Sequence, residues 1–368
     1  MKLGVWDAVV IGAGPAGSVA ARQLAMRGRR VLLLDKAKFP RSKVCGCCLN
    51  RTAMAVLERA GLGGLVARLE ARTIERLELV SERGRRAGLS LRGGVSVSRA
   101  SLDLALIEEA VRAGVEFVQE CAATVGPVVG STRVVRVGEE TRAAEFVVVA
   151  DGLAGTSLKE VPGFEPEVSP GTRVGISCVL EDGPFARGAI TMVCGRRGYV
   201  GAVWLEDGRL DVAGALNAAW MKGVGGPAAA VAKIYEDAGV AVSGLADAAW
   251  RGTPGLTRRR KVEAERLCVI GDAAGYVEPF TGEGMAWAML CGEAVGSVIE
   301  SGASWVRAHR ELVGRRQREC RWIARLLRNP NICSLAIGAL GAAPVLAAPI
   351  VRRISLGQSR STLEITPS

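Results

Sequence analysis

WDAVVIGAGPAG, residues 6–17, carries the strongest fold signal in this chain. Trp6–Ile11 is a short apolar, β-branched run, typical of a buried parallel strand. A glycine-rich turn leads into a helix predicted over 18–27, and a second predicted strand, 30–34, ends at Asp35. Strand, helix and strand within about thirty residues form a βαβ unit. This unit predicts an α/β protein built on a parallel sheet.

The turn has the spacing G-x-G-x-x-G at Gly12, Gly14 and Gly17. Gly12 permits a tight turn, Gly14 lets a pyrophosphate approach the backbone, and Gly17 lets the helix pack closely on the sheet. Helix N–H groups then face the phosphates, and Asp35 accepts hydrogen bonds from a ribose. A purely structural turn is the alternative, but both strands and Asp35 favour dinucleotide binding. The other candidate contacts in this unit are Pro15, Ala16 and Lys36.

A second glycine-rich segment, GDAAGYVEPFTGEGM at 271–285, follows a strand predicted at 267–270. Its first two residues resemble the distal FAD motif of the glutathione-reductase superfamily, in which an Asp after Gly holds the ribityl chain. The rest resembles the P-x-x-G-x-G segment of para-hydroxybenzoate-hydroxylase-like flavoenzymes. Its glycines would let the positive end of the next helix approach the flavin. A coincidental Asp-capped turn is the alternative. The candidate residues are Gly271, Asp272, Pro279, Gly282, Gly284 and Met285.

Three shorter segments extend the resemblance. FPRSKVCG, 39–46, is similar to the loop of geranylgeranyl-reductase-like flavoproteins that runs along the flavin, and it supplies Arg41, Cys45 and Gly46. Arg99 matches the Arg before a helix that lies near the cofactor in this family. Asp151 begins a D-G motif linked to FAD and nicotinamide handling. The Ser and Arg expected later in that motif are Gly155 and Leu158 here, which argues against the nicotinamide role.

The resemblance covers about residues 1–300 and implies FAD as the cofactor. It implies a three-layer FAD-binding Rossmann domain of the glutathione-reductase type, with an inserted β-rich substrate domain and a C-terminal helical tail. The FAD-binding parts are predicted at 1–73, 99–160 and 263–302. Substrate-domain strands are predicted at 74–98, the β-rich domain at 161–262, and the helical region at 303–368.

Composition excludes several kinds of function. The formal net charge is +11, which suits an anionic dinucleotide, nucleic acid or an acidic membrane surface. The basic residues are spread along the chain and only 4% of residues are aromatic, so we expect no nucleic-acid partner. His309 is the sole histidine, which excludes Ser-His-Asp hydrolysis and His-rich metal sites. We interpret it as an exposed helical residue, expect no metal, and name no catalytic residue.

The chain has ten cysteines, mostly within apolar runs typical of small core residues. We recognise no signal peptide and expect a soluble, cytoplasmic protein with reduced thiols. Cys45 and Cys48 form a C-x-x-C. We favour a reduced loop cysteine that lines the flavin; a redox dithiol, a metal site and a covalent flavin link are the alternatives.

The apolar tail segment 332–351 is rich in Ala and Gly and contains Pro344 and Pro349. These prolines would break the continuous helix that a lipid bilayer requires. Buried tail helices are favoured, and a segment at a membrane surface or in a substrate channel is the main alternative. Peripheral membrane contact through this segment is therefore one of our expectations.

Four functions are compatible with a flavin-binding fold of this kind: hydroxylation, alkene reduction, halogenation and cofactor binding without catalysis. A halogenase W-x-W-x-I-P segment is absent, and no Phe-Pro follows Trp204 as in the reductases. Small and aliphatic residues in the β-rich region suggest a lipophilic substrate. We expect an FAD monooxygenase that hydroxylates or oxidises a lipophilic aromatic or polyketide-like molecule. An alkene reductase is the alternative, and a non-catalytic flavin-binding module is a remote one. Electrons would come from NAD(P)H, which would bind without a separate Rossmann domain, or from a separate electron donor.

Overall fold

The computed structural model describes residues 4–278, 282–326 and 328–343. Its strands are β1 (Trp6–Ile11), β2 (Val31–Leu34), β3 (Cys48–Leu49), β4 (Arg72–Ser81), β5 (Arg86–Ser96), β6 (Glu116–Val118), β7 (Ala123–Val129), β8 (Thr132–Val137), β9 (Glu140–Val149), β10 (Glu167–Val168), β11 (Val174–Leu180), β12 (Ala189–Gly195), β13 (Gly198–Trp204), β14 (Leu210–Leu216), β15 (Arg251–Gly255), β16 (Arg258–Arg259), β17 (Glu263–Ala264), β18 (Leu267–Val269) and β19 (Gly275–Tyr276). Its helices are α1 (Pro15–Met26), α2 (Arg51–Arg59), α3 (Leu65–Arg68), α4 (Arg99–Arg112), α5 (Ala218–Gly223), α6 (Pro227–Asp237), α7 (Gly284–Ser301), α8 (Trp305–His309), α9 (Arg315–Leu326) and α10 (Pro330–Ala342).

The first sheet confirms the predicted Rossmann-type fold. Its strands run in the order β17-β18-β9-β1-β2-β6, and β18, β9, β1, β2 and β6 pair in parallel. Helices α1, α4 and α7 pack on one face, where their side chains share one apolar cluster with the strands. Strands β7 and β8, which the sequence analysis did not predict, form an antiparallel extension next to β9. Side chains of this extension help to cover the opposite face.

The second sheet joins two distant parts of the chain, in the order β15-β11-β14-β13-β12-β4-β5-β3. Its pairs are antiparallel except β12 with β4, which is parallel. The strands predicted in 74–98 and strands β11 to β15 of the predicted β-rich domain therefore lie in one sheet. Alternation along β14 places Leu210, Val212 and Leu216 in a core with α6 and leaves the opposite face free to line a cavity. A small third sheet has the order β10-β16-β19.

The described part of the predicted C-terminal helical region is helical between Trp305 and Ala342, apart from residues 328–329. α8 continues through a π-helical turn, Arg310–Gly314, into α9, and α10 then packs across β4 and β5. Cys333 and Ile337 of α10 are buried against Leu79, Leu89 and Met192 of the second sheet. Among the described residues, no helix has the length and apolarity needed to cross a bilayer. The predicted segment beyond 343, including both prolines, lies outside the described residues.

The structure corrects the interpretation of His309 as an exposed residue. Its ring is half-buried and packs edge-on against Trp305, with 5.8 Å between the ring centroids. Trp305 is itself buried and donates its indole N–H to the Val269 carbonyl at 2.9 Å. Burial lowers the pKa of His309 to about 4. The sole histidine is therefore a neutral packing residue and does not line the cavity described below.

Candidate active site

The glycine turn has the geometry that the sequence predicted. Gly12 has φ +105°, and a Cβ there would collide with the Ala150 carbonyl. A Cβ at Gly17 would collide with the Gly12 carbonyl, so Gly17 serves the packing of α1 on the sheet. Helix α1 begins at Pro15 with Gly14 as its N-cap and has no capping side chain. Its first N–H groups are therefore available to an anionic group.

Asp35 closes the other side of this turn at the end of β2. Its carboxylate accepts hydrogen bonds from the Ala13 N–H at 2.7 Å and from the Ala37 N–H at 2.8 Å. The side chain is 8% exposed and faces the same cavity as Lys36. Two backbone bonds thus fix the carboxylate in the orientation that a ribose contact at this strand end requires.

Two guanidinium groups face the turn from the opposite side. The Nη2 atoms of Arg41 and Arg99 both lie 3.7 Å from the point where a Cβ on Gly14 would stand. Arg99 is buried and paired with Asp103, whereas the buried Nε of Arg41 has no hydrogen-bond partner. Burial lowers the pKa of Arg41, and the Arg99 charge adds to this effect. Two guanidinium groups against a glycine turn, one of them with an unpartnered buried Nε, fit a pyrophosphate, so these residues fit FAD.

The distal motif begins where β18 ends. A 3-10 turn, Gly271–Ala274, follows it, and Gly271 has φ +60° with its Cβ position only 2.9 Å from the Ala16 Cβ. Gly271 thus packs on α1, while Asp272 faces the cavity. Gly284 begins α7, and a Cβ there would lie 3.2 Å from the Tyr276 hydroxyl. Gly282 and Met285 also line the cavity, and Pro279 lies outside the described residues.

The D-G motif also contributes to the site. One Asp151 oxygen accepts a hydrogen bond from the Ser157 N–H at 3.0 Å, and the other is buried without a partner. Gly152 has φ +75°, and the Nζ of Lys43 lies 3.0 Å from its Cβ position. The sequence analysis missed Lys43, although it lies within the predicted flavin loop. Leu158, where the motif expects Arg, is buried in the core, so this motif offers no cation there.

The cysteine loop brings three thiols to the cavity. Cys45 Sγ accepts a hydrogen bond from the Cys47 N–H at 3.4 Å, and Cys48 Sγ donates to the Gly46 carbonyl at 2.8 Å. The Cys47 thiol and the Arg99 guanidinium lower the pKa of Cys45 to about 6, against the opposing effect of burial. All three cysteines are free, and no group of metal-ligating side chains occurs among the described residues. The loop thus places three unbridged cysteines at the cavity, and a reduced cysteine lining the flavin stays a prediction.

The predicted site residues converge on one cavity of about 1180 Å³. The structure brings to it Gly12, Gly14, Pro15, Ala16, Asp35, Lys36, Arg41, Cys45, Gly46, Arg99, Asp151, Asp272, Gly282, Gly284 and Met285. Gly17 and Gly271 do not line the cavity; they pack behind the residues that do. The side formed by the second sheet and α10 is aliphatic and includes Ile74, Leu77, Leu79, Leu89, Ile190, Met192, Ile337 and Leu340. One polar residue on that side, Asp211, was missed. A lone acid in the alternating strand LDVAGAL was the available signal.

Comparison with known proteins agrees with this geometry. Residues 6–183 match the FAD binding domain family. The menaquinone reductase of Mycobacterium tuberculosis is 54% identical over 61 residues, which are 17% of this chain and 15% of that protein. The match thus spans under a fifth of either protein. The digeranylgeranylglycerophospholipid reductase of Methanosarcina acetivorans is 27% identical over 341 residues, covering 86% of this chain and 81% of that protein.

Solved structures share the whole fold at low sequence identity. A triple mutant of the flavin-dependent brominase Bmp2 has a TM-score of 0.78 at 16% identity, covering 95% of this chain and 94% of that one. The p-nitrophenol 4-monooxygenase PnpA from Pseudomonas putida has a TM-score of 0.76 at 16% identity, covering 97% and 99%. Residues 6–183 thus form an FAD-binding domain, and FAD is the cofactor of this chain.

Proposed function

We propose that this oxidoreductase reduces a carbon–carbon double bond in a long lipophilic substrate. The observation that carries the proposal is the continuity of the cavity, which runs from the glycine turn to the aliphatic wall of β4, β5, β12 and α10. An enclosed aliphatic wall of this extent suits an extended hydrocarbon chain. The reductase that aligns with 86% of this chain supports the same chemistry.

The chain's own residues would hold the cofactor at the other end of the cavity. The α1 N-terminus, Arg41 and Arg99 would bind the pyrophosphate, and Asp35 would bind the ribose. Asp272 would hold the ribityl chain, and the first N–H groups of α7 would face the flavin. When bound and reduced by NAD(P)H or a separate donor, FAD supplies a hydride. The reduction then needs a proton for the second carbon, so an acidic side chain must face the substrate.

The reductases have Phe-Pro shortly after the Trp that corresponds to Trp204, and this chain does not. The residues found there do not alter the cavity. Trp204 is buried away from the cavity and donates its indole N–H to the Phe185 carbonyl at 2.7 Å. Glu206, where the pattern has Phe, accepts hydrogen bonds from the Ser98 N–H and from the hydroxyls of Ser98 and Ser101. It thus supports the first turn of α4, next to Arg99. The missing Phe-Pro does not argue against reduction.

Monooxygenation of a lipophilic aromatic or polyketide-like molecule is the second candidate. Polar side chains on the substrate side of the cavity favour it, since Tyr199, Tyr276 and Asp211 could orient a phenol or carbonyl group near the flavin end. An isolated alkene needs no such orientation. Both candidates require that water be excluded from an apolar pocket, so product chemistry distinguishes them.

The test is product analysis with an isotope label. FAD-loaded enzyme is incubated with geranylgeraniol or with 5-pentadecylresorcinol, an electron donor and ¹⁸O₂. The proposal predicts that geranylgeraniol gains two hydrogens and no oxygen, and that the resorcinol is unchanged. A resorcinol product containing ¹⁸O, with unchanged geranylgeraniol, would replace reduction by monooxygenation. Enzyme carrying Arg99→Gln serves as the control with impaired cofactor binding.

A further inference from the structure

Asp211 is a carboxyl group buried in the substrate side of the cavity. It lies on β14, faces the cavity and is only 4% exposed. Its cross-strand neighbours, Val203 on β13 and Val179 on β11, are apolar. Its Oδ2 is buried and has no hydrogen-bond partner. Along β11 to β14 it is the one acidic side chain in the cavity wall.

Such a group is costly to bury unless it serves a ligand. A buried carboxyl oxygen without a partner destabilises a fold by about 1–3 kcal/mol, and more when it is charged. Cys47, whose φ is +50°, lies beside the Asp211 carboxyl group and lowers its pKa against the effect of burial. Cys47 thus borders the Asp211 carboxyl group, whose buried Oδ2 has no partner within the part of the chain that the structure describes.

We propose that Asp211 is held as a neutral carboxylic acid and donates a hydrogen bond from Oδ2 to an uncharged oxygen of the substrate. The substrate class is a long aliphatic molecule with a ketone, quinone or phenol oxygen near the reacting carbons. This inference rests on the proposed function only in requiring a lipophilic substrate in this cavity. Asp211 is then a specificity-determining residue, because a pure hydrocarbon would leave its O–H unpaired.

Electrostatics support the neutral form. Burial raises the pKa of Asp211 well above its ordinary value, and the charge of Cys45 raises it further. The titratable groups that face or influence Asp211 are Cys45, Cys47 and Cys48 on the loop, Cys178 on β11 and Tyr235 on α6. None of these groups carries a positive charge, and burial outweighs the lowering of the Asp211 pKa by the Cys47 thiol. A neutral acid is both a donor and an acceptor, whereas the anion only accepts.

The first test is an infrared difference spectrum of the FAD-loaded protein at pH 7, wild type minus Asp211→Asn. The inference predicts the carbonyl stretching band of a protonated carboxylic acid in wild type and its loss in the variant. Asp207→Asn is the matched control, since Asp207 is a partly exposed acid paired with Arg209 at 2.6 Å. It should leave the band unchanged. Absence of the band in wild type would overturn the inference, whatever reaction the enzyme catalyses.

The second test uses two probes of equal length, 2-pentadecanone and pentadecane. Quenching of FAD fluorescence measures their binding, and a ¹³C label at the ketone carbonyl reports the hydrogen bond by its infrared shift. We expect ketone binding to weaken about tenfold in Asp211→Leu, corresponding to one hydrogen bond. It should stay within about threefold in Asp211→Asn, whose amide N–H still donates. Pentadecane should bind all three proteins alike.

The outcomes separate this inference from the proposed function. If pentadecane binds but the ketone shows neither preference nor carbonyl shift, Asp211 does not contact the substrate and only the inference fails. If neither probe binds, the cavity does not take aliphatic chains, and the proposed function fails together with the inference. A ketone shift in wild type that disappears in Asp211→Leu supports the inference and, of the proposed function, only the binding of a lipophilic molecule in this cavity.

Discussion

Arg99 and Asp103 form a two-point ion pair one turn apart on α4, with both Nε–Oδ1 and Nη2–Oδ2 at 2.8 Å. Both side chains are buried, and Asp103 is also 3.5 Å from Arg41 Nη2. One carboxylate therefore positions both guanidinium groups that face the glycine turn. The presence of Asp103 raises the pKa of Arg99, against the effect of burial, so Arg99 keeps its charge in an interior position.

The first prediction concerns this pair. Asp103→Asn removes the carboxylate charge at nearly constant shape, which leaves Arg99 buried and uncompensated. Breaking a buried pair in this way costs about 3–5 kcal/mol. We expect a lower free energy of unfolding by chemical denaturation and weaker FAD binding by fluorescence titration. Glu108→Gln on the same helix removes an exposed pair with Arg112 and should change either value little. FAD affinity equal to wild type in Asp103→Asn would exclude the positioning role.

The second prediction concerns the start of α7. Replacing Gly284 with Val would push a side chain against the Tyr276 hydroxyl, 3.2 Å from the Cβ position, and move the helix end away from the flavin. Because that end carries about half a positive charge, its retreat should lower the flavin reduction potential. FAD affinity should fall less, since the glycine turn and Asp35 are unaffected. A redox titration of FAD-loaded variants measures this, with Gly284→Ala as the smaller change. An unaltered midpoint potential in folded Gly284→Val would contradict the placement of the α7 N-terminus beside the flavin.

The third prediction concerns Asp211 and pH. Its native pKa lies well above the ordinary value of 3.8. Between these two values the native state holds a proton that the unfolded chain has released. Stability contributed by this group therefore falls as pH rises through that interval. Asp211→Asn removes this pH dependence. The free energy of unfolding of the variant, relative to that of wild type, should therefore increase from pH 4 to pH 8. Denaturant unfolding at both pH values checks this, and a constant difference would mean that Asp211 is ionised in the native protein.

The fourth prediction uses the sole histidine. Burial lowers the pKa of His309 from 6.5 to about 4, so its imidazole signals in a proton NMR titration should be constant down to about pH 5. Below pH 6.5 the unfolded chain binds a proton that the native state does not, and stability is lost as the pH falls. His309→Gln should lose less stability between pH 7 and pH 5. An imidazole that titrates near pH 6.5 would mean that His309 is exposed to solvent in the native protein.

Local sequence patterns predicted the glycine turn and Asp35 at one end of the cavity, and the cofactor contacts of these residues stay predictions. Gly12, Gly14, Gly17 and Asp35 lie within one βαβ unit, where spacing alone determines their relative positions. The substrate side required tertiary information. Asp211 and Cys47 are far apart in sequence and meet only because the loop before β3 packs over the second sheet. α10 lines the cavity through packing on β4 and β5, which its Ala- and Gly-rich sequence does not specify.

His309 shows a second reason why the sequence did not predict the burial of every side chain. Charged neighbours in SWVRAHRELV indicate an exposed helix, and five of these ten residues are exposed. The histidine shares its face with Trp305, which the sequence did not identify as the buried side. A helix with one narrow buried stripe gives too few apolar positions for the pattern to assign each residue to a face.

The most direct test of the central claim is an anaerobic half-reaction. Enzyme with reduced FAD is mixed with geranylgeraniol in D₂O without oxygen, and the flavin absorbance is followed by stopped flow. The proposed function predicts return of the oxidised flavin spectrum and a product with one reduced double bond that carries a solvent-derived deuterium. It also predicts that a saturated alcohol of the same length gives no reoxidation. A flavin that stays reduced with the alkene, and is reoxidised only when oxygen is admitted, would contradict the claim.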